Sequence, residues 1–251
     1  MKNVIKPLLF GILLLGQSVP AMAEKDPLSN NSEAVEWMVY SSPTTQAAIG
    51  RAANIGDAVL ANSILGKSAA TMGFAEKSPE AKTFLTGALY AEALALTRDG
   101  QYEDAGKRLA ILADVTADLK ISPALNNYLV RVSHLIMNKA HDRAALLEML
   151  ILAQPFLDQH LCGQSNDMRF LFQTGAWLSD YGMAAAAGEY RFLRQPLMLG
   201  RTIREMQRLE APKGVINALQ EIKSLTSKKN LGEIEAQQIK QLVKKMQELM
   251  S

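Results

Sequence analysis

The chain has 251 residues, 48% of them hydrophobic, and its 27 basic residues nearly balance its 25 acidic residues. This balance lacks the strong positive charge with which nucleic-acid-binding proteins hold phosphates, so we expect no nucleic-acid partner. Cys162 is the single cysteine, which excludes an intramolecular disulfide and leaves an apolar core to hold one large or two small domains.

The first 23 residues have the three regions of a secretory signal peptide. Lys2 and Lys6 precede an apolar run at residues 8–15, and Ala21, Met22 and Ala23 match the A-x-A cleavage site. The run is too short to cross a bilayer, which takes about 20 residues. No cysteine follows it, which argues against a lipid anchor. We therefore expect cleavage after Ala23, a periplasmic or secreted mature protein, and no transmembrane segment after cleavage.

Two segments follow the predicted cleavage site. Residues 24–42 are predicted to form a polar leader and a short helix; their alternating apolar residues fit a strand equally well, but the chain offers no second strand. Residues 43–64 are rich in alanine and glycine, which predicts a helix packed closely against another. The predicted organisation is the leader at 24–42, a helical-hairpin domain at 43–211 and a C-terminal helical pair at 212–251.

Residues 83–119 have the pattern of two helices joined by a tight turn. Asp99 and Gly100 predict the turn, because glycine accepts the left-handed conformation that ends many helices. Apolar and small residues recur at steps of three and four on both sides of it. The predicted inner faces consist of Ala81, Leu85, Ala88, Leu89, Ala93 and Leu96, then Ala105, Leu109, Leu112 and Leu119.

This hairpin resembles a single tetratricopeptide repeat, a helical unit of about 35 residues. The residues that carry the resemblance are Ala93, Leu96, Gly100, Tyr102, Ala105 and Leu109. The resemblance implies that the small residues lie where the helices cross and that Tyr102 packs over the turn. Glu92 departs from the pattern, since the family prefers an apolar residue there, and no proline closes the unit near Ala117.

A second pair of helices is predicted about 40 residues downstream, within the range of helical repeats. Pro123 begins one helix and Asp142 caps the next, in which Pro155 is expected to cause a bend or an end. A third copy is opposed by Glu189 at a core position. The predicted faces are Leu125, Leu129, Val132 and Ile136, then Ala145, Met149, Leu152 and Phe156, with Ala145, Met149 and Leu152 corresponding to Ala105, Leu109 and Leu112.

The rest of the chain is also predicted to be helical. Aromatic residues concentrate at 167–194, and Pro196 and Pro212 separate further helices. Their predicted faces are Leu199, Ile203 and Met206, then Val215, Leu219, Ile222 and Leu225, then Ile239, Leu242, Met246 and Leu249. The expected fold is all-α, as stacked antiparallel hairpins in a TPR-like or α-solenoid-like array; the alternative is a closed multi-helix bundle.

No motif for catalysis or cofactor binding occurs in the chain. It contains no G-x-S-x-G, no G-x-x-x-x-G-K and no C-x-x-C-H, which favours a non-catalytic protein without cofactors. His160 and Cys162 are weak candidates for a metal site, because their spacing matches no strong metal motif. We prefer a loop in which His160 caps a helix and Cys162 is buried. A turn near Lys139 is expected to separate the other two histidines.

Six residues are candidates for contact with a ligand or partner. Glu92 lies near an apolar face, either contacting a groove ligand or, as we prefer, at the face's boundary. Four of the candidates are arginines between residues 191 and 204, which form a basic set beside Tyr190 and Phe192. This set either recognises an acidic group or forms a solvated stripe. The candidates are Glu92, Tyr102, Arg191, Arg194, Arg201 and Arg204.

Two functions remain open on these grounds. The first is an exported helical interaction or scaffold protein of the bacterial cell envelope, whose shape binds a peptide or protein partner. The second is a helical-bundle enzyme or small-ligand binder with its site between helices. A closed apolar pocket with convergent charges would favour the second function.

Overall fold

The computed structural model describes residues 78–250 except Glu189 and Arg191, and excludes the side chains of Cys162 and Gln164. The described residues form eight α-helices and no strand, so the all-α prediction is confirmed for them. The predicted signal peptide, leader and alanine-rich helix lie outside the described residues. The helices are α1 (Pro79–Asp99), α2 (Tyr102–Asp118), α3 (Pro123–Met137), α4 (Arg143–Gln164), α5 (Asn166–Ala186), α6 (Pro196–Arg208), α7 (Lys213–Thr226) and α8 (Glu233–Met250).

Local capping chemistry places two of the predicted helix boundaries. The Asp142 carboxylate accepts a hydrogen bond from the Ala145 N–H at 2.9 Å at the start of α4, as an N-cap should. Gly100 ends α1 with a φ of 84°, in the left-handed region, and its N–H donates to the Thr97 carbonyl at 3.2 Å. The predicted hairpin turn is therefore confirmed, with the chain reversing between α1 and α2.

Helix α1 is the central element of the fold. Every residue from Lys82 to Thr97 is buried, whereas an ordinary surface helix keeps one face in water. It packs against α2, α4, α5 and α8. The predicted apolar stripe of α1 is thus only one part of a helix that is enclosed on all sides.

Two glycines allow α1 and α5 to cross at close range. A Cβ atom at Gly87 would overlap the Phe172 carbonyl of α5, and one at Gly175 would overlap the Phe84 carbonyl of α1. Only glycine permits backbones to approach this closely. The two helices run in the same direction, because Thr83 contacts Met168 at 3.2 Å near the start of both, and further along both helices the charge of Asp180 acts on the Arg98 guanidinium.

Helices that come late in the described chain pack against α1, the first described helix. Helix α2 packs on α1 and α3, α3 packs on α4, and α4 packs on both α5 and α1. Helices α6, α7 and α8 follow, each packed on its predecessor or successor, and α8 contacts α5 and α1. In an open repeat array each hairpin contacts only its neighbours. The TPR-like stacking predicted from the sequence is not confirmed by these contacts.

The predicted inner face of α4 is wrong by one residue. Leu152 and Phe156 are 59% and 52% exposed, whereas the buried residues are Leu146, Leu150, Ala153, Leu157 and Leu161. The proposed correspondence of Leu152 with the fully buried Leu112 therefore fails. Pro155 does not end the helix, since α4 continues to Gln164. Proline removes one backbone hydrogen bond from a helix, and Pro155 lies on the exposed side of α4.

The predicted faces of α6 and α7 are confirmed, and that of α8 is confirmed in part. The buried residues include Leu199, Ile203 and Met206 in α6 and Val215, Leu219, Ile222 and Leu225 in α7. In α8, Ile239 and Met246 are buried, but Leu249 is 42% exposed. The turn between α5 and α6 is held by the Trp177 indole, which donates to the Gln195 amide oxygen at 3.0 Å.

Candidate functional site

The outer side of α4 carries an exposed apolar surface, which we call the α4 face and define as Ile151, Leu152, Pro155 and Phe156. The exposed fractions of its three large side chains are 40%, 59% and 52%, and Pro155 is exposed as well. Directly opposite, Leu150, Ala153 and Leu157 are fully buried. The helix therefore has an apolar inner side, as folding requires, and a second apolar side that is exposed in the part of the chain that the structure describes.

This concentration of apolar side chains is unusual for the described part of the chain. Seven large hydrophobic residues are strongly exposed there, and three of them lie within the six positions 151–156. Fully burying one such side chain is worth roughly 1.5–3 kcal/mol, and contiguous exposed apolar surface marks interaction sites more often than scattered residues do. The α4 face is therefore the strongest candidate interaction surface. The apolar spacing alone does not reveal this surface, because it predicts Leu152 and Phe156 as core residues.

Glu92 lies inside the protein, so the boundary and groove positions predicted for it are both wrong. It is 4% exposed, and its Oε2 accepts a hydrogen bond from Nε of Arg108 at 2.8 Å. Arg108 comes from α2 and is also 4% exposed. The carboxylate thus joins α1 to α2 as half of a buried ion pair, and we leave it out of the candidate partner surface.

The predicted basic set is divided by the structure. Arg191 lies outside the described residues, and Arg194 precedes α6 in a turn, where Nη2 donates to the Lys229 carbonyl at 2.8 Å. The predicted helical pairing of Arg194 with Arg191 is therefore wrong. Arg201 and Arg204 do lie on one helix, α6.

A cation from a different helix joins Arg204. The Cβ position of Gly200 lies 3.8 Å from Nη1 of Arg204 and 3.9 Å from Nζ of Lys223 on α7. Sequence reasoning missed Lys223, because nothing in the α7 segment indicates that it faces α6 at this point. Two cations therefore converge over a residue that has no side chain.

Tyr102 begins α2 and is half-buried. Nζ of Lys139, just after α3, lies 5.6 Å from the centre of its ring, within the range of a cation–π contact. The ring thus ties the start of α2 to the end of α3.

A polar seam connects α4 and α5. Asp158 contacts Nη2 of Arg169 and Nε2 of Gln173, both at 3.5 Å. Burial raises the pKa of Asp158 above its usual value, although the neighbouring Arg169 guanidinium opposes this shift.

Tyr90 of α1 donates a hydrogen bond from its hydroxyl to the Leu150 carbonyl at 3.2 Å. Burial, followed by the charges of Asp180 and Asp158, raises the pKa of the Tyr90 phenol, so this group serves as a fixed hydrogen-bond donor.

The two weak metal candidates lie on a helix, so the loop predicted for them is wrong. His160 and Cys162 both belong to α4, and residues two apart on a helix are separated by roughly 200° around its axis. In the described residues, no three histidine, cysteine, aspartate or glutamate side chains are grouped as a metal would require. The predicted turn at Lys139 is confirmed, since Lys139 adopts a φ of 50° after α3.

A cavity of about 310 Å³ opens where α1, α5, α8 and the α6–α7 turn meet. Its wall includes apolar side chains such as Leu171 and Met206, together with Glu80 and Glu210. An apolar cavity with a few polar groups is the usual form of a small-ligand site. This cavity is the feature of the described chain that best fits a small-ligand binder.

Within residues 78–250 as described, no helix has the length and apolar character needed to cross a membrane. The chain matches no protein-family model, no curated protein and no solved structure.

Proposed function

We propose that the chain is an exported interaction or scaffold protein of the bacterial cell envelope that binds a protein or peptide partner through the α4 face. The exposure of Ile151, Leu152 and Phe156 on a helix whose opposite side is fully buried is the observation that carries the proposal. Export is supported by the signal-peptide pattern of residues 1–23.

The occupant that best fits the α4 face is the apolar side of an amphipathic helix. Leu152 and Phe156 are one turn apart, so they match partner side chains spaced at three and four residues. Glu148 lies one turn before Leu152 and is exposed, which favours a partner with a basic residue at that end of its apolar stripe. The partner is thus an apolar helix with a flanking lysine or arginine.

The arrangement of helices that we propose is a closed bundle with a convex docking side. Its support is the return of α5 to α1 and the complete enclosure of α1. A closed bundle leaves no continuous concave groove of the kind that a repeat array uses for peptides. Recognition would then depend on the outside of α4.

The decisive experiment is site-specific photo-crosslinking in living cells of the source bacterium. A photoreactive phenylalanine analogue replaces Phe156 in one strain and the 74%-exposed Ile234 of α8 in the control strain. We expect a crosslinked product of defined mass from position 156 and none from position 234. Adding Leu152→Glu should remove the product, because it places a charge in the apolar contact. The proposal is wrong if both positions give the same products or if Leu152→Glu has no effect.

Export is tested separately by determining the N-terminus of the protein recovered from the periplasmic or secreted fraction. The expected first residue is Glu24. Recovery of an uncleaved chain from the cytoplasm would contradict the proposed localisation without bearing on the α4 face.

The alternative function is a small-ligand binder or enzyme whose site is the cavity between α1, α5, α8 and the α6–α7 turn. The apolar wall and the carboxylates of Glu80 and Glu210 favour a small apolar cation as its ligand. A thermal-shift series with aliphatic and aromatic amines would separate the two functions. Stabilisation that is lost on Leu249→Trp, which enlarges a 42%-exposed side chain of the cavity wall, would favour the alternative.

A further inference from the structure

Gly200 forms a notch on the outer side of the α6–α7 pair. Its Cβ position lies 3.8 Å from Nη1 of Arg204 and 3.9 Å from Nζ of Lys223. These distances place both cations within reach of any group that enters the space left by the missing side chain. Because the two nitrogens carry like charges and lie close together, an anion between them would relieve their repulsion.

The packing of the two helices fixes the backbone positions from which these cations extend. Leu199 and Ile203 of α6 and Leu219 and Ile222 of α7 are all buried. Arg204 and Lys223 are exposed, and in the described part of the chain neither makes an ion pair. Arg208, one turn beyond Arg204, is different, since it pairs with both Asp167 and Glu205. The buried side chains thus hold α6 against α7, and Arg204 and Lys223 extend from the two helices beside Gly200.

An apolar side chain borders the notch on the same helix. Leu197 is 58% exposed, and residues 197, 200 and 204 lie along one line of α6 because they are three and four positions apart. A free inorganic anion would gain nothing from Leu197. A peptide that carries a carboxylate next to an apolar side chain would contact both parts of the surface.

We infer that the notch of Gly200, Arg204 and Lys223 binds a carboxylate of an acidic peptide segment, with a neighbouring apolar side chain of that segment on Leu197. The inference rests on the proposed function, in which the chain recognises a protein or peptide, but it uses a different surface from the α4 face. It assigns to the partner an acidic segment in addition to its apolar helix. The carboxylate is recognised by two charge-assisted hydrogen bonds, one from each helix.

The first test measures binding of a fluorescein-labelled peptide of leucine and glutamate to the full mature protein by fluorescence anisotropy. We expect binding that weakens with salt, and no binding of the same peptide with glutamine in place of glutamate. Arg204→Gln and Lys223→Gln should each weaken binding by about fivefold, as expected for an exposed ion pair worth up to about 1 kcal/mol. Lys244→Gln, which makes the same charge change on α8, should leave it unchanged.

A second variant keeps the inference testable if those substitutions disturb folding. Gly200→Glu supplies a carboxylate within the chain, four residues before Arg204, which is the favourable order for an ion pair on a helix. Its melting temperature should exceed that of Gly200→Gln by an amount that falls with salt, and it should lose the peptide. Equal melting temperatures with unchanged peptide binding would overturn the inference.

Further outcomes separate this inference from the proposed function. Inorganic phosphate that binds as tightly as the peptide would overturn the peptide assignment. Leu152→Glu should bind the acidic peptide normally, because it changes only the α4 face. If the peptide fails to bind while crosslinking at position 156 succeeds, the notch is excluded and the α4 face stands.

Discussion

Removing one member of the buried pair Glu92–Arg108 should destabilise the protein far more than removing both. The two charged atoms are 2.8 Å apart and both side chains are about 5% exposed. At an effective dielectric constant of about 20, this distance gives roughly 6 kcal/mol of attraction. Bringing each ion out of water costs several kcal/mol, so attraction and desolvation nearly cancel while both partners are present.

The single variants leave a charge in the core without this partner. We therefore expect Glu92→Leu and Arg108→Met each to lower the free energy of unfolding by about 3–5 kcal/mol, a large part of the 5–15 kcal/mol or so that is typical of a domain. The double variant replaces both ions by apolar side chains of similar size. It should lie within about 2 kcal/mol of the original protein.

The measurement is urea unfolding followed by helical circular dichroism, on all four members of the cycle. The sum of the two single losses should exceed the loss in the double variant by more than about 3 kcal/mol. The reasoning fails if each single variant costs less than about 1 kcal/mol, or if the double variant loses as much as both singles together. Equal denaturant slopes for the four proteins are the control for a common unfolding transition.

Four other substitutions have outcomes that follow from their surroundings. Gly87→Ala should lower the free energy of unfolding, measured in urea, by about 3 kcal/mol or more, because its Cβ would overlap the α5 backbone. Gly163 has open space around it, so the control variant Gly163→Ala should be as stable as the original protein or more stable. Gly200→Ala should raise stability by about 0.5–1 kcal/mol through helix propensity, since its Cβ has ordinary contacts, and a loss of stability would contradict the packing described. Burial raises the pKa of the Asp158 carboxyl above 3.8, so the folded protein binds the carboxyl proton more tightly than the unfolded chain does. The free energy of unfolding therefore falls as the pH rises from 3.8 through the higher pKa of the folded state. Asp158→Asn should remove that fall, making the variant relatively more stable at pH 7 than at pH 3; the opposite trend in unfolding curves at the two pH values would refute the sign.

Periodicity predicted some helices well because their apolar residues occupy one narrow stripe. In α7 all four predicted inner residues are buried, namely Val215, Leu219, Ile222 and Leu225. In α4 the same reasoning failed, because apolar residues occur at most positions of residues 144–157. Two registers one residue apart then fit equally well, and the pattern carries no information about which side faces α1 and α5.

The buried ion pair between Glu92 and Arg108 has a weak signal in the sequence, namely the distances of the two residues from the predicted turn. Glu92 lies eight residues before Gly100 and Arg108 lies eight residues after it. In an antiparallel hairpin, positions at equal distances from the turn lie side by side, so the pairing of opposite charges follows from the turn that the sequence does predict.

The contacts of Gly200 and Gly87 had no comparable signal. Lys223 reaches Gly200 from another helix, and Gly87 meets α5 through backbone atoms. Neither contact follows from spacing within one segment. They depend on how helices that are distant in sequence are arranged, which a single sequence does not specify when no repeat is present.

The crossing of α1 with α5 joins segments that are distant along the chain. Gly87 and Gly175 are about 90 residues apart, and the entropy cost of closing a loop rises with its length, so this contact costs more to form than the turn between α1 and α2. Contacts between distant segments also slow folding. Wherever the chain folds, α1 keeps apolar surface exposed until α5 covers it, and association of unfolded copies through this segment is the hazard that the topology creates.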